Sequence, residues 1–147
     1  MPKRHNNHGR STTEPFVRLP HYLLDAPAWT ALSPLAAKIF IRIMRIYNGR
    51  NNGYLALSAR QAAEAAACSK DSAARALREL IDKGFLELSI QGRFVRKTPH
   101  ASEYRLTLHA CDRTHAPSSK AFMRWGRTSD KKIDGPNSGT AGPILGT

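Results

Sequence analysis

Cysteine is scarce in this chain, with only Cys68 and Cys111 among 147 residues. That excludes a disulfide-built scaffold and a cysteine-rich metal site, and both thiols are read as reduced, partly buried small residues. His5 and His8 stand at i, i+3 in a polar segment with no cysteine near them, so no metal site is expected. A Ser/His/Asp set, a carboxylate pair, a phosphate-cradling glycine loop and a redox Cys-x-x-Cys are all unrecognisable. The chain is therefore expected not to be an enzyme, to use no cofactor and to take no small-molecule ligand. Apolar runs fall short of the roughly 20 residues that span a bilayer, and the basic start Met1-Pro2-Lys3-Arg4 lacks the apolar segment of an export signal. A cytoplasmic location without a membrane partner is the expectation.

Acidic residues are also few: 11 Asp and Glu stand against 23 Lys and Arg, giving a formal net charge of +12 and a pI near 10.4. A polyanion is the partner this favours, because each neutralised phosphate releases counterions. Basic charge alone is shared with ribosomal and membrane-surface proteins. With 41% hydrophobic content, the chain can hold one domain of about a hundred residues plus tails, and a second, catalytic domain does not fit. The composition divides it into a disordered basic arm over 1–15, a domain over 16–112, and a mostly disordered tail over 113–147 with a short aromatic segment at 119–125.

Between Ser58 and Gly84 the chain reads SARQAAEAAACSKDSAARALRELIDKG. Two short amphipathic segments joined by a tight turn and closed by glycine are the pattern of a helix-turn-helix. Ser69 is the expected N-cap of the second helix and Gly84 its left-handed stop. At 100° per residue, Ala73, Ala74, Leu77, Leu80 and Ile81 form its apolar stripe, with Asp71, Ser72, Arg75 and Glu79 opposite. Placed in a major groove, Ser69, Lys70, Asp71, Ser72, Arg75 and Arg78 meet base edges and phosphates, while Glu79 and Asp82 sit further back. An ordinary surface helix of mixed charge is the alternative.

Upstream, Ser33-Pro34 is a cap and first-turn proline, and LAAKIFIRIMRIYN runs on to Asn48-Gly49. Leu35, Ile39, Ile43 and Tyr47, with Ala36, Phe40 and Met44, give this helix a broad inward face, and Lys38, Arg42 and Arg45 give it a basic outer one. Phe16 to Leu32 reads as a short pre-helix anchored by Trp29. Gly53 to Leu57 suits one edge strand, and Ser58 caps a helix over Ala59 to Ala67 whose small residues allow a close helix crossing.

After Gly84 the period becomes alternating. Phe85 to Ile90 and Glu103 to Leu108 are expected to pair as strands around a long, mobile, cationic loop from Gln91 to Ser102. A cationic hairpin in this position is a wing, in which Arg93, Arg96 and Lys97 can follow the phosphate backbone or enter a minor groove. A solvated loop that keeps the sheet edge soluble is the alternative. The segment around Phe122 and Trp125 can dock on its own domain, pair with a second copy or touch DNA, and the basic arm either adds non-specific attraction to DNA or only solubilises.

The order helix, strand, helix, helix, strand, wing, strand matches the winged helix-turn-helix fold, mainly α with a small β-hairpin. AAEAAACSKDSAARALRELIDKGFLEL resembles the winged-helix domains of bacterial and phage repressors and of plasmid replication initiators. FVRLPHYLLDAPAWTALSP, YNGRNNGYLALSARQAA, CSKDSAARALRELIDKGF, ASEYRLTLHACD and SSKAFMRW resemble small helix-turn-helix proteins of proteobacteria and their mobile elements. The resemblance implies binding to double-stranded DNA, with Ser69, Lys70, Asp71, Ser72 and Arg75 at the DNA-facing start of the recognition helix. Ser58, at the head of the preceding helix, joins this set.

A bacterial, nucleoid-associated transcription regulator of a mobile element is the function so implied. A replication-initiation or partition protein, or a winged-helix protein-interaction module, is the alternative. A homodimer reading half-sites about 10 base pairs apart and a monomer are both compatible with the fold. One position departs from the related pattern: Ala67 stands where glycine is usual in the inter-helix turn. A positive φ would cost alanine about 1 kcal/mol, so the turn is expected to close differently.

Overall fold

The structure, a computed structural model, describes residues 14–126. Two short helices, α1 (His21–Leu24) and α2 (Pro27–Ala31), lead into α3 (Pro34–Ile46). Strand β1 (Leu55–Ala56), helices α4 (Ala59–Ala66) and α5 (Lys70–Asp82), and strands β2 (Leu86–Ile90), β3 (Arg93–Val95), β4 (Thr98–His100) and β5 (Glu103–Leu106) follow, and a 3₁₀ turn covers Ala121–Arg124. The described residues are thus mainly α with small antiparallel strands.

Each long helix starts at a serine. Ser33, Ser58 and Ser69 take extended backbone, and their hydroxyls accept from the amides of Ala36, Gln61 and Ser72 respectively. At α4 the Gln61 side chain reaches back to the Ser58 amide and completes a capping box. Pro34 occupies the first turn of α3, where its missing N–H costs nothing.

The core forms where α3 and α5 meet the sheet. Ala36, Ile39, Phe40, Ile43 and Met44 are buried on α3, and Ala73, Ala76, Leu77 and Leu80 on α5. The stripe of α5 is therefore rotated slightly from the pattern reading: Ala76 faces the core, while Ala74 and Ile81 lie at its edge beside the sheet. Trp29 meets Phe40 and Phe85 edge to face at 5.9 and 6.1 Å, and Phe85 stacks flat on Phe122 at 5.0 Å.

Strand β5 is central in a three-stranded antiparallel sheet of order β1-β5-β2. Leu55 and Leu88 both pair with Tyr104, and Leu86 pairs with Leu106. Past Leu86 the strand leaves the core, so Leu88 and Ile90 are about two-fifths exposed (41% and 40%). The pairing register with β5 shifts between Leu88 and Ile90.

That segment corrects one expectation. Residues 91–102 are not a long loop: β3 and β4 pair as a separate two-stranded ribbon, with Arg93 opposite His100, Phe94 opposite Pro99 and Val95 opposite Thr98. Arg96 and Lys97 form its two-residue turn with φ of 49° and 62°. Two positive φ values in succession are the mark of a type I′ turn, whose twist matches paired strands. The usual Asn-Gly signal is absent, which is why the sequence reads as loop.

A second correction concerns the turn between α4 and α5. Ala67 does adopt the left-handed conformation, with φ 54° and ψ 52°. The Cys68 amide donates to the Ala63 carbonyl at 3.0 Å and the Ala67 amide to Glu64 at 3.4 Å. Those are the two bonds of a Schellman motif, so the turn closes as a glycine turn would, with alanine carrying the strain.

The packed body also runs past the domain end read at residue 112. Arg113 donates from Nε to the Gly53 carbonyl at 2.9 Å and pairs with Glu103. Lys120 donates its amide to the Thr107 carbonyl at 2.9 Å, and Phe122 beyond it is 1% exposed. Gly84 makes this docking possible: at φ 86°, a Cβ there would lie 2.7 Å from both Ala121 C and Phe122 N. The basic arm through residue 13 and the tail from 127 lie outside the described residues.

Candidate nucleic-acid interface

Helix α5 offers its first half to solvent. Lys70, Asp71, Arg75 and Arg78 are exposed, and the latter three recur at four- and three-residue steps along one stripe. Their rigidity comes from the opposite face, where Ala73, Ala76, Leu77 and Leu80 are buried against α3 and α4. Ser69 and Ser72 are differently engaged. The Ser69 hydroxyl donates to Ser72 Oγ at 2.9 Å while accepting from the Ser72 amide at 3.1 Å. Ser69 is thus occupied as a cap, whereas the Ser72 hydroxyl keeps its own proton to offer outward.

Ser58 heads α4 in the corresponding way, half-buried, with its hydroxyl accepting from the Gln61 amide at 3.1 Å. The two capped helix starts, Ser58 and Ser69, carry amides that favour an anion nearby. Lys38 on α3 was not connected to this region by the sequence. Its ammonium donates to the Ala66 carbonyl at 3.4 Å, which puts a cation beside the turn that leads into α5. Its position on the outer face of α3 is legible, but the neighbour across the helix crossing is not.

Glu79 is not a bystander set back on the solvent side. Its carboxylate accepts from the Ser33 amide at 2.8 Å, from the Ser33 hydroxyl at 2.7 Å, and from Lys83 at 3.2 Å. Partial burial works to raise this carboxyl, but the Ser33 and Lys83 hydrogen bonds and the Lys83 charge outweigh it and hold the pKa below the usual value. An acid on α5 is thereby engaged within the protein, with the Lys83 ammonium beside it.

The ribbon carries Arg93, Arg96 and Lys97, all exposed, with the latter two at the tip. Every strand residue of β3 and β4 is exposed. The C-terminal aromatics sit elsewhere: Phe122 stacks between Phe85 and Tyr22, and Lys83 lies over the Trp125 ring at 5.4 Å. These contacts cluster at the last turn of α5, about 20 Å along the helix from Ser69.

Residues 30–86 match the family model described as a helix-turn-helix domain. This match supports a DNA-binding helix-turn-helix domain, and its span runs from within α2 through α3, β1, α4 and α5 to the first residue of β2. DNA is the partner this domain indicates. No curated protein and no solved structure matches the chain. The ribbon lies outside the matched span. Among the described residues, no group of three or more His, Cys, Asp or Glu side chains could hold a metal ion, and no helix is long and apolar enough to cross a membrane. His5 and His8 lie outside the described residues.

Proposed function

We propose that this protein is a winged helix-turn-helix regulator that binds double-stranded DNA and has no catalytic role of its own. The first half of α5 enters the major groove, where Lys70, Asp71, Ser72, Arg75 and Arg78 face base edges and phosphates, with Ser58 and Ser69 holding the helix starts against the backbone. The β3–β4 ribbon is the wing, and Arg93, Arg96 and Lys97 lie along an adjacent backbone or minor groove. Transcription control within a bacterial nucleoid is the role this reading favours.

One observation carries it: the polar stripe of α5 is open over its first half, because the aromatic C-terminal segment docks at the other end of the helix. The net charge of +12 supplies the long-range attraction that a polyanion partner requires. Selection of fragments from random DNA by the purified chain tests the reading. Enrichment of a defined sequence is expected, and the presence or lack of two-fold symmetry in that sequence reports dimer or monomer. Failure to retard any duplex even at about 50 mM salt would overturn it.

A further inference from the structure

Phe94 is 69% exposed, the highest value among the exposed large hydrophobic side chains of the described residues. It stands directly opposite Pro99 in the ribbon. Side chains alternate across a strand, so Phe94 and Pro99 share one face while Arg93, Val95, Thr98 and His100 share the other. Arg96 and Lys97 close the tip, and residues 91–102 contain no Asp or Glu. The result is an apolar protrusion set among cations. A cross-strand Phe–Pro contact helps hold a ribbon together, but that does not account for its placement on a purely cationic arm.

A nucleic-acid duplex has the matching layout, with apolar base faces between two anionic rails. The minor groove is only about 6 Å wide, too narrow for the body of a two-stranded ribbon, so what enters must be protruding side chains. Phe and Pro are among the side chains that wedge between base pairs from that groove. We propose that the Phe94–Pro99 pair is such a wedge: it enters the minor groove at one base step, unstacks it and bends the duplex. Arg96 and Lys97 at the tip hold the flanking phosphates. Pyrimidine–purine steps deform most easily, so bound sites carry TA or CA/TG where the ribbon reaches. This rests on the DNA-binding reading above and adds an activity to it, the bending of the target.

The test uses the full chain and a fragment selected from random DNA, labelled at both ends for energy transfer. The wild-type complex is expected to shorten the end-to-end distance, corresponding to a bend in the range of about 20–90°. F94A and F94T, measured at saturating protein so that any loss of affinity is overcome, are each expected to lose at least half of the bend; threonine keeps strand propensity, so the ribbon survives. A straight wild-type complex, or F94A and F94T complexes bent as the wild type is, would overturn the wedge alone. Absence of any complex would overturn the wedge and the DNA-binding reading together. If the wild-type complex is straight and the chain binds vesicles of anionic lipid in a manner abolished by F94A, the ribbon serves a lipid surface and the proposal fails.

Discussion

The Glu79 carboxylate on α5 receives both the backbone amide and the hydroxyl of Ser33, the residue that caps α3. One acid thereby ties the rotation of α5 to the first turn of α3. Removing the carboxylate leaves a partly buried donor pair without its charged acceptor.

E79A is expected to lose about 2 kcal/mol of stability at pH 7. Because the folded-state pKa of Glu79 is lowered, this stabilisation is present above the unfolded value of about 4.3 and is lost as pH falls through the folded value. The gap between wild type and E79A should therefore narrow as pH falls below the ordinary carboxylate range. Urea unfolding of both proteins at pH 7 and pH 3 checks it, and an undiminished gap at pH 3 would contradict the assignment.

At Ala67 glycine should be the better residue. Left-handed backbone costs an L-residue about 1–2 kcal/mol, and glycine's extra freedom in the unfolded chain costs about 0.4–1 kcal/mol. The Ala67 side chain is exposed, so its methyl contributes little burial. A67G is expected to gain about 0.5 kcal/mol, read as a higher melting temperature, whereas A67V should lose stability. A lower melting temperature for A67G would mean that the methyl is needed for packing.

For DNA binding, R75A is expected to weaken the selected sequence by about 1–3 kcal/mol and to relax discrimination at one position. K97A should weaken all sequences alike and lower the slope of log affinity against log salt by about one. Fluorescence anisotropy over a salt series with selected and random duplexes separates the two. Equal effects of both substitutions on every sequence would refute these roles.

Phe122 should behave as a core residue although it lies in a segment rich in Ser, Pro and Lys. F122A is expected to cost about 3–5 kcal/mol, while M123A, at a side chain that is 40% exposed, should cost little. Chemical denaturation of the two variants measures this. A small loss for F122A would mean that the stack on Phe85 adds nothing to the fold.

The helices were legible because their signals are local. Ser33-Pro34, Ser58, Ser69 and Gly84 mark starts and stops, and the 3.6-residue repeat of Ile39, Phe40, Ile43 and Met44 shows which side of α3 is buried. What was not legible depends on residues far apart in sequence. Glu79 has no pattern that names Ser33 as its partner. Asn52 resembles an ordinary turn residue beside Gly53, yet it is fully buried, and its amide donates to the carbonyls of Leu106, His109 and Ala110. Gly84 is legible as a helix stop, but its second duty, leaving room for Ala121 and Phe122, depends on a segment that returns from far along the chain. Within the candidate interface, the residue types of the α5 stripe and the cations at 93, 96 and 97 were readable. The ribbon itself was not, because Arg96 and Lys97 take positive φ without a residue that favours it.

The six strand residues of the ribbon are all open to solvent, so none of them contributes to the hydrophobic interior. Substitutions there incur almost no folding penalty, in contrast to α5, where every third or fourth position is fixed by packing. The two elements are therefore expected to tolerate substitution to very different degrees.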